Sequence, residues 1–247
     1  MQTKAIPANG HNESAWIIDK NATCTASGSK HTKCFTCGAQ IRTAPIPSTG
    51  HSFTDGFCTA CGAEDPNYLP ENPFVDVKEV DYFFVPVLWA VQKGITNGIS
   101  ATEFGPNNNC TRGQIVTFLW RACGSPEPTK TDNPFTDVKS ADYYYKAVLW
   151  AVESGITNGM STTTFEPNAT CTRGQVATFL WRSQGKPAPE SDNNPFNDVR
   201  NGEYYYDAVL WAVENNITNG TGVDTFSPDA SCTRGQIVTF LYRALAK

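Results

Sequence analysis

The chain has 247 residues, a net charge of −5 and an apolar content of 40%. These values allow two domains or one repeat array with a buried core, and they exclude a disordered chain. The negative charge argues against nucleic acid as a partner, because proteins that bind it carry a basic surface. We expect no membrane insertion, because the sequence has no apolar run of about 18 residues.

Residues 1–65 differ in composition from the rest and hold five of the nine cysteines. Two C-x-x-C-G knuckles, at Cys34–Gly38 and Cys58–Gly62, are separated by 20 residues between Cys37 and Cys58. This spacing is typical of a structural zinc site with four cysteine ligands. It predicts a small β-rich head, with a short strand at residues 39–46, that binds one Zn²⁺. The predicted ligands are Cys34, Cys37, Cys58 and Cys61.

A second sequence echo leaves the ligand set of the head open. The segment Ile6–His11 recurs 40 residues later as Ile46–His51. It makes Cys24 and His51 competing ligands, which could join Cys34 and Cys37 and leave the second knuckle for another metal or a local pair. Disulfides are a further alternative, because an exported protein permits them. The close C-x-x-C spacing favours metal.

Residues 72–247 contain one unit three times. An N-P-F segment starts at Asn72, Asn133 and Asn194, with a constant spacing of 61 residues. A fixed period is typical of repeat architectures, in which units bury their apolar faces against one another. The predicted units are 72–126, 133–187 and 194–247, after a linker at 66–71.

Each unit is predicted to be a hairpin of two helices. The first helix carries a wide apolar stripe that includes Ala147, Val148 and Ala151. In the first unit Pro86 replaces the residue equivalent to Ala147, so we expect that helix to start later or to be kinked. The second helix begins at a capping box, in which a threonine is followed three residues later by glutamine. Together these features predict a mostly α-helical body in a pseudo-threefold arrangement.

Five motifs recur in the same order in every unit: F-x-D-V, an aromatic first helix, G/N-I-T-N-G, F-x-P and T-R-G-Q. In this order they resemble the S-layer homology family over residues 72–247, although that family usually shows T-R-A-E. The resemblance implies a three-pronged helical spindle that anchors to the bacterial cell wall. Such domains bind secondary cell-wall polysaccharide, often pyruvylated, in grooves between repeats. The resemblance also implies that the arginine of the T-R motif contacts the ligand: Arg112, Arg173 and Arg234.

Physical chemistry favours the same position for an anion site. A pyruvate ketal carries a carboxylate, and a helix N-terminus offers unpaired N–H groups and the positive end of the helix dipole. An arginine in the first turn adds a planar fork that matches a carboxylate, and glycine permits close approach of a ligand. Three such sites on one body give avidity for a repetitive polymer. The predicted site therefore also includes Thr111, Thr172, Thr233, Gly113, Gly174 and Gly235.

Other repeated residues have two interpretations each. The tryptophans of the first helices can stack on sugars or pack in the core. The aspartates of the F-x-D-V motif can contact a ligand or cap a turn. The triplets Tyr143–Tyr145 and Tyr204–Tyr206 include outward positions that can line a groove. The cysteine before each cap is predicted to be a small buried filler, far from its equivalents and not disulfide-bonded. These residues are Trp89, Trp150, Trp211, Asp76, Asp137, Asp198, Cys110, Cys171 and Cys232.

We predict a non-enzymatic polysaccharide-binding anchor, because the sequence shows no nucleophile elbow, H-E-x-x-H motif or phosphate loop. The alternatives are a zinc-stabilised protein-interaction module, with other surface proteins as partners, and the anchor of a larger surface hydrolase. The first ten residues lack the pattern of a secretory signal. We nevertheless expect a fragment of a larger exported protein, located outside the cell in a Gram-positive type of wall.

Overall fold

A computed structural model describes residues 10–66, 68–130 and 132–246. The chain divides between Tyr68 and Leu69 into two compact units, here called the head and the body. Strands occur in the described part of the head and helices in that of the body, in agreement with a mostly α-helical protein that has a small β-rich segment. Among the described residues, no helix is long and apolar enough to cross a membrane.

The head contains a three-stranded antiparallel sheet and a short hairpin. Strands β1 (Ile17–Lys20), β2 (Gly28–Lys33) and β3 (Gln40–Ile46) lie side by side in that order. Strands β4 (Phe53–Thr54) and β5 (Phe57–Cys58) pair with each other. The strand predicted between the knuckles is confirmed as β3. Among the described residues of the head, the buried apolar side chains are all cysteines: Cys24, Cys34 and Cys58.

The first helix of every repeat starts at the same position. These helices are α1 (Phe84–Gln92), α3 (Tyr145–Glu153) and α5 (Tyr206–Glu214). The prediction of a later start in the first repeat is therefore wrong. Pro86 is the third residue of α1, where an N–H group has no intrahelical acceptor, so its absence costs no hydrogen bond.

The second helices are α2 (Arg112–Ala122), α4 (Arg173–Ser183) and α6 (Arg234–Leu245). The predicted capping box is confirmed in all three, with threonine as the cap and glutamine as its reciprocal partner. Helix α2 ends where Gly124 adopts a φ of +85°, a left-handed conformation that glycine adopts without strain. The N–H groups of Gly124 and Ser125 then donate to carbonyls of the last turn.

Helix contacts in the body pass from each repeat to the next and close on the first. Helix α2 packs against α3, α4 against α5, and α6 against α1. The apolar residues of all three repeats form a continuous core that is completed by a smaller cluster around Phe226. A single hairpin would leave its apolar stripe exposed, so the closed set of contacts explains why three units fold together.

The cysteines that precede the caps meet where the three repeats meet. The backbone N–H of Cys110 donates to the carbonyl of Cys232, that of Cys171 to Cys110, and that of Cys232 to Cys171, at 3.0–3.1 Å. The prediction that these equivalents lie far apart is wrong, because the segments before the caps face the common centre. The predicted burial is confirmed, since all three are 0% exposed, and none forms a disulfide.

Burial makes these central thiols unreactive in the folded protein. It raises the pKa of Cys110 to about 11 and that of Cys232 to about 12, and it raises the pKa of Cys171 as well. At about pH 8 the reactive thiolate is therefore scarce at these positions. We expect iodoacetamide to modify exposed Cys123 in the native protein and the central cysteines only after unfolding. Peptide mass spectrometry measures this, and native labelling of Cys171 as fast as Cys123 would contradict it.

Candidate functional site

The three T-R arginines are buried at the joints between repeats. Arg112, Arg173 and Arg234 are 2–4% exposed. The Nε of Arg112 donates to the carbonyl of Phe165 in the next repeat at 2.9 Å, and its guanidinium carbon lies 4.7 Å from the centre of that ring. The other two arginines repeat this geometry with Phe226 and Phe104. These arginines therefore hold neighbouring repeats together.

In two of the three arginines, one guanidinium nitrogen is left for another partner. The buried Nη2 atoms of Arg112 and Arg173 have no hydrogen-bond partner among the described residues. The equivalent atom of Arg234 donates to Thr96 Oγ1 at 3.1 Å. Burial lowers the pKa of all three arginines. A buried charge without a hydrogen-bonded counterion is costly, so such an atom marks a position where a ligand can contribute.

Two grooves contain Arg112 and Arg173, one each, and each groove is built from all three repeats. The Arg112 groove combines Arg112, the turn Thr157–Met160, Gln175 and Arg182 with Tyr204 of the third repeat. Its volume is about 280 Å³. The buried Nε of Arg182 also lacks a partner among the described residues. The groove therefore holds two cationic side chains, each with one unpaired nitrogen.

The Arg173 groove repeats this composition one unit further along the chain. It combines Arg173, the turn Thr218–Thr221, Gln236 and Arg243 with Tyr82 of the first repeat, and its volume is about 430 Å³. Neither groove has an aspartate or glutamate among its described lining residues. Both grooves therefore present positive charge, amide and hydroxyl groups and one tyrosine ring, a combination that suits an acidic sugar.

The helix N-termini are not open to a ligand as the sequence predicted. The N–H groups of Arg112 and Gly113 donate to the carbonyls of Ala169 and Pro167 at 2.9 Å, and Thr111 Oγ1 accepts from Gln114. A Cβ on Gly113 would lie 2.9 Å from the ring of Tyr144, so the neighbouring repeat fills this space. The prediction of free N–H groups and of close approach at glycine is corrected at all three caps: Thr111, Thr172, Thr233, Gly113, Gly174 and Gly235.

The repeated aspartates hold the loop that receives the arginine. Both carboxylate oxygens of Asp137 accept backbone N–H groups, from Phe165 at 2.9 Å and from Glu166 at 2.7 Å. Asp76 and Asp198 do the same in their own repeats. The carbonyl of Phe165 accepts a hydrogen bond from Arg112 Nε. Asp137 therefore positions the acceptor of the hydrogen bond between the two repeats. This geometry supports the turn-capping interpretation of these residues.

The predicted tryptophans pack beside the core and do not line the two arginine grooves. Trp89 and Trp150 are half-buried and Trp211 is 7% exposed. Trp89 lies edge-on to Tyr242, with ring centres 5.6 Å apart. The exposed aromatic groups of the grooves are instead the first members of the aromatic triplets, Tyr82 and Tyr204, which are 59% and 54% exposed. Their outward position in a repeated aromatic triplet was the sequence signal.

The cysteine and histidine side chains of the head that could bind a metal ion fall into two groups. One comprises Cys24, His51, Cys58 and Cys61, and the other His11, Cys34 and Cys37. The predicted grouping of both knuckles around one ion, and its alternative with Cys24 and His51 beside the first knuckle, are therefore both corrected. Each knuckle instead lies beside the histidine of one copy of the sequence echo.

Hydrogen bonds at both knuckles favour the thiolate form of the first cysteine. The ring of His51, together with backbone N–H groups, lowers the pKa of Cys58 to about 5. Backbone N–H groups of the knuckle and the ring of His11 lower the pKa of Cys34 to about 6. The nearby thiol of Cys61 raises the pKa of Cys24. Thiolates are the form that metals bind.

Sequence comparison identifies the repeats of the body. The S-layer homology domain matches residues 73–116, 134–177 and 195–238, just over half of the chain. The chain belongs to the S-layer homology family. The resemblance stated from the motifs is thereby confirmed, and each match runs from the N-P-F segment into the second helix of a repeat.

The S-layer homology region also aligns with parts of larger proteins. An endoglucanase of Bacillus sp. (strain KSM-635) is 30% identical over 66% of this chain and 18% of its own length. The surface-layer 125 kDa protein of Lysinibacillus sphaericus is 33% identical over 63% of this chain and 13% of its own length. The cellulosome-anchoring protein of Acetivibrio thermocellus is 25% identical over 63% of this chain and 35% of its own length. The chain thus spans a minor part of these relatives.

Proposed function

We propose that the body anchors its carrier to the bacterial cell wall by binding an acidic, pyruvylated secondary polysaccharide in the inter-repeat grooves. The observation that carries this proposal is the set of buried arginine nitrogens without partners, in grooves whose described lining has no carboxylate. Arginine is permanently charged and bonds carboxylates through a planar fork. A carboxylate on the sugar therefore complements the charge of the groove.

The remaining groups of the grooves suit the neutral part of a sugar. Tyr204 and Tyr82 offer apolar faces with a polar edge, on which a sugar ring can stack. Gln175 and Asn158 in the Arg112 groove, like Gln236 and Asn219 in the Arg173 groove, offer amides for hydroxyl groups. Both grooves are open at the surface, as binding to an extended polymer requires. The groups of the grooves thus match both the acid and the hydroxyls of the proposed ligand.

The closed set of helix contacts supports a pseudo-threefold, three-pronged body for this function. Such a body presents equivalent grooves in different directions, so several units of one polymer can bind at the same time. Linked weak sites bind a repetitive ligand more tightly than any one of them. The three arginine positions are not identical, because Arg234 donates to Thr96 Oγ1 where its equivalents have an unpaired Nη2. We therefore propose unequal affinities among the three positions.

The relatives support a binding role at the cell surface. Their printed names include a surface-layer protein and a cellulosome-anchoring protein as well as enzymes, and the region shared with this chain is the S-layer homology region. The share of the endoglucanase that aligns is small. We propose a non-enzymatic, extracellular anchor, with the wall polysaccharide as its main partner.

Replacing Arg182 by glutamine tests the proposed ligand chemistry at one groove. This change removes one charge from the Arg112 groove, and loss of a charge-assisted contact weakens binding to isolated cell walls about tenfold. Arg200 is exposed and lies outside both arginine grooves, so Arg200→Gln is the matched control and should bind as the unmodified chain. Sedimentation with purified sacculi measures both. Equal affinities of the two variants would overturn the assignment of the groove.

A further inference from the structure

Two clusters of cysteine and histidine side chains form at opposite ends of strand β2. Cys24 precedes this strand and Cys34 directly follows it. The six residues of β2 span about 16 Å in extended form. Two ligands of one tetrahedral metal ion lie only about 4 Å apart. One ion therefore cannot bind ligands from both ends of the strand.

Backbone pairing assembles the first group at the β2 start. The N–H groups of Thr49 and Gly50 donate to the carbonyls of Thr23 and Cys24 at 3.0 and 3.1 Å, which brings His51 next to the Cys24 loop. The second knuckle follows in the β4–β5 hairpin, where β5 ends at Cys58. Cys24, His51, Cys58 and Cys61 thus come from two loops and one hairpin, and their ligand atoms all lie within 4.8 Å of one another.

The distances in this group match those around a tetrahedral Zn²⁺. Two thiolates at the usual zinc–sulfur distance are about 3.8 Å apart, and a thiolate and an imidazole nitrogen about 3.6 Å. Cys24 Sγ and Cys58 Sγ lie 3.7 Å apart, and Cys61 Sγ lies 3.4 Å from His51 Nδ1. A disulfide would need a separation of about 2 Å. The geometry therefore fits a shared metal ion better than a cystine.

The second group forms at the other end of β2 by a similar route. The N–H of Phe35 donates to the carbonyl of Asn12 at 2.9 Å, which places His11 beside the first knuckle. Cys37 Sγ lies 3.5 Å from His11 Nδ1, again the separation expected on zinc. This cluster has three ligands among the described residues, and residues 1–9 contain no cysteine, histidine, aspartate or glutamate. A fourth position is thus left for water or an outside donor.

Both knuckles share the backbone geometry that supports metal-bound thiolates. In each, the glycine after the second cysteine has a φ of +73° or +74°, and its N–H donates to the carbonyl of the first cysteine. The same turn therefore sets the orientation of the cysteine side chains in both knuckles.

We propose that the head binds two Zn²⁺ ions in sites of different type. The closed site has three cysteines and one histidine and holds the head together, because the described head has no other buried apolar side chains than cysteines. The open site has His11, Cys34 and Cys37 and exchanges its fourth ligand. Soft thiolates with imidazole in tetrahedral geometry select zinc over hard cations.

Metal analysis of the full chain and two matched variants tests this proposal. We expect two zinc ions per chain by elemental analysis and native mass spectrometry. Cys37 and Cys61 are both exposed second cysteines of a knuckle. Cys37→Ser should retain one ion, held by the closed site. The double variant Cys37→Ser/Cys61→Ser should retain none. Cys123→Ser, an exposed cysteine of the body, is the control and should retain both ions.

Cobalt substitution reads the ligand sets directly. Cobalt bound to the Cys37→Ser variant should show thiolate charge transfer from the three sulfurs of the closed site. In the unmodified chain, a second equivalent of cobalt should add the charge-transfer signal of the two sulfurs of the open site. One ion in the unmodified chain that is lost in both Cys37→Ser and Cys61→Ser would mean a single shared site and would overturn the proposal. A metal-free chain with cystines would overturn it as well.

Discussion

Replacing Arg112, Arg173 and Arg234 together by methionine is expected to abolish binding to purified cell walls. Each arginine supplies an unpaired or weakly paired buried charge at an inter-repeat position. Loss of one charge-assisted contact weakens a single groove by roughly 10- to 100-fold. The losses at these positions combine, because linked sites act on one polymer. Sedimentation with sacculi over a range of protein concentrations measures the change.

Methionine separates the binding role of these arginines from their packing role. It retains an unbranched side chain against the phenylalanine rings, whereas alanine would leave a cavity. The lost bond to the Phe165 carbonyl is partly offset because no unpaired charge remains buried. We expect the free energy of unfolding to fall by less than about 2 kcal/mol per site. A folded triple variant that binds walls normally would contradict the assigned role.

Replacing Asp137 by alanine is expected to lower the free energy of unfolding by about 3 kcal/mol, because two charge-assisted hydrogen bonds are lost. Both oxygens of this carboxylate accept backbone N–H groups of the loop at Phe165. The loop carbonyl then accepts Arg112 Nε, so the variant also loosens the joint between two repeats. Chemical denaturation followed by circular dichroism measures the effect.

The same repeat offers a matched control for this prediction. Asp142 caps a turn through one hydrogen bond, from the N–H of Lys139 at 2.7 Å. Asp142→Ala should therefore cost about 1 kcal/mol, and Asp137→Asn, which retains one acceptor oxygen, should lie between the two. If Asp137→Ala is no more destabilising than Asp142→Ala, the proposed role of Asp137 in holding the loop is wrong.

The helices and their caps could be predicted because their causes are local. The apolar residues of the first helix all lie within a few residues of one another. So do the threonine and the glutamine that cap the second helix. The 61-residue period then allowed each observation to be made three times. The effect of Pro86 is harder to predict, because it depends on whether the proline is the third or a later residue of the helix.

The partners of the T-R-G-Q segment could not be predicted, because they come from another repeat. Arg234 donates to Phe104, which lies 130 residues earlier in the chain. The carbonyls that fill the helix N-termini likewise belong to the following repeat, or to the first repeat in the case of α6. A repeat pattern shows which residues are equivalent. It does not show that the equivalents of Cys110 meet at one centre instead of pointing apart.

The head shows a similar limit of sequence spacing. The sequence separation of the two knuckles suited one site with four cysteine ligands. In the structure the first knuckle lies at one end of β2 and the second knuckle lies beside Cys24 at the other end, too far away to share an ion. The echo that repeats a histidine before each knuckle contained the relevant signal. It indicated two equivalent units, and the structure brings His11 to the first knuckle and His51 to the second.

Binding to sacculi before and after removal of the secondary polysaccharide tests the central claim most directly. Mild acid or hydrofluoric acid strips this polymer and leaves the peptidoglycan. The charged grooves predict strong binding to intact walls, loss of binding to stripped walls, and competition by the released polysaccharide. Equal binding to intact and stripped walls would contradict the proposed anchor, because binding would then not depend on the acidic polymer that the arginine grooves are proposed to bind.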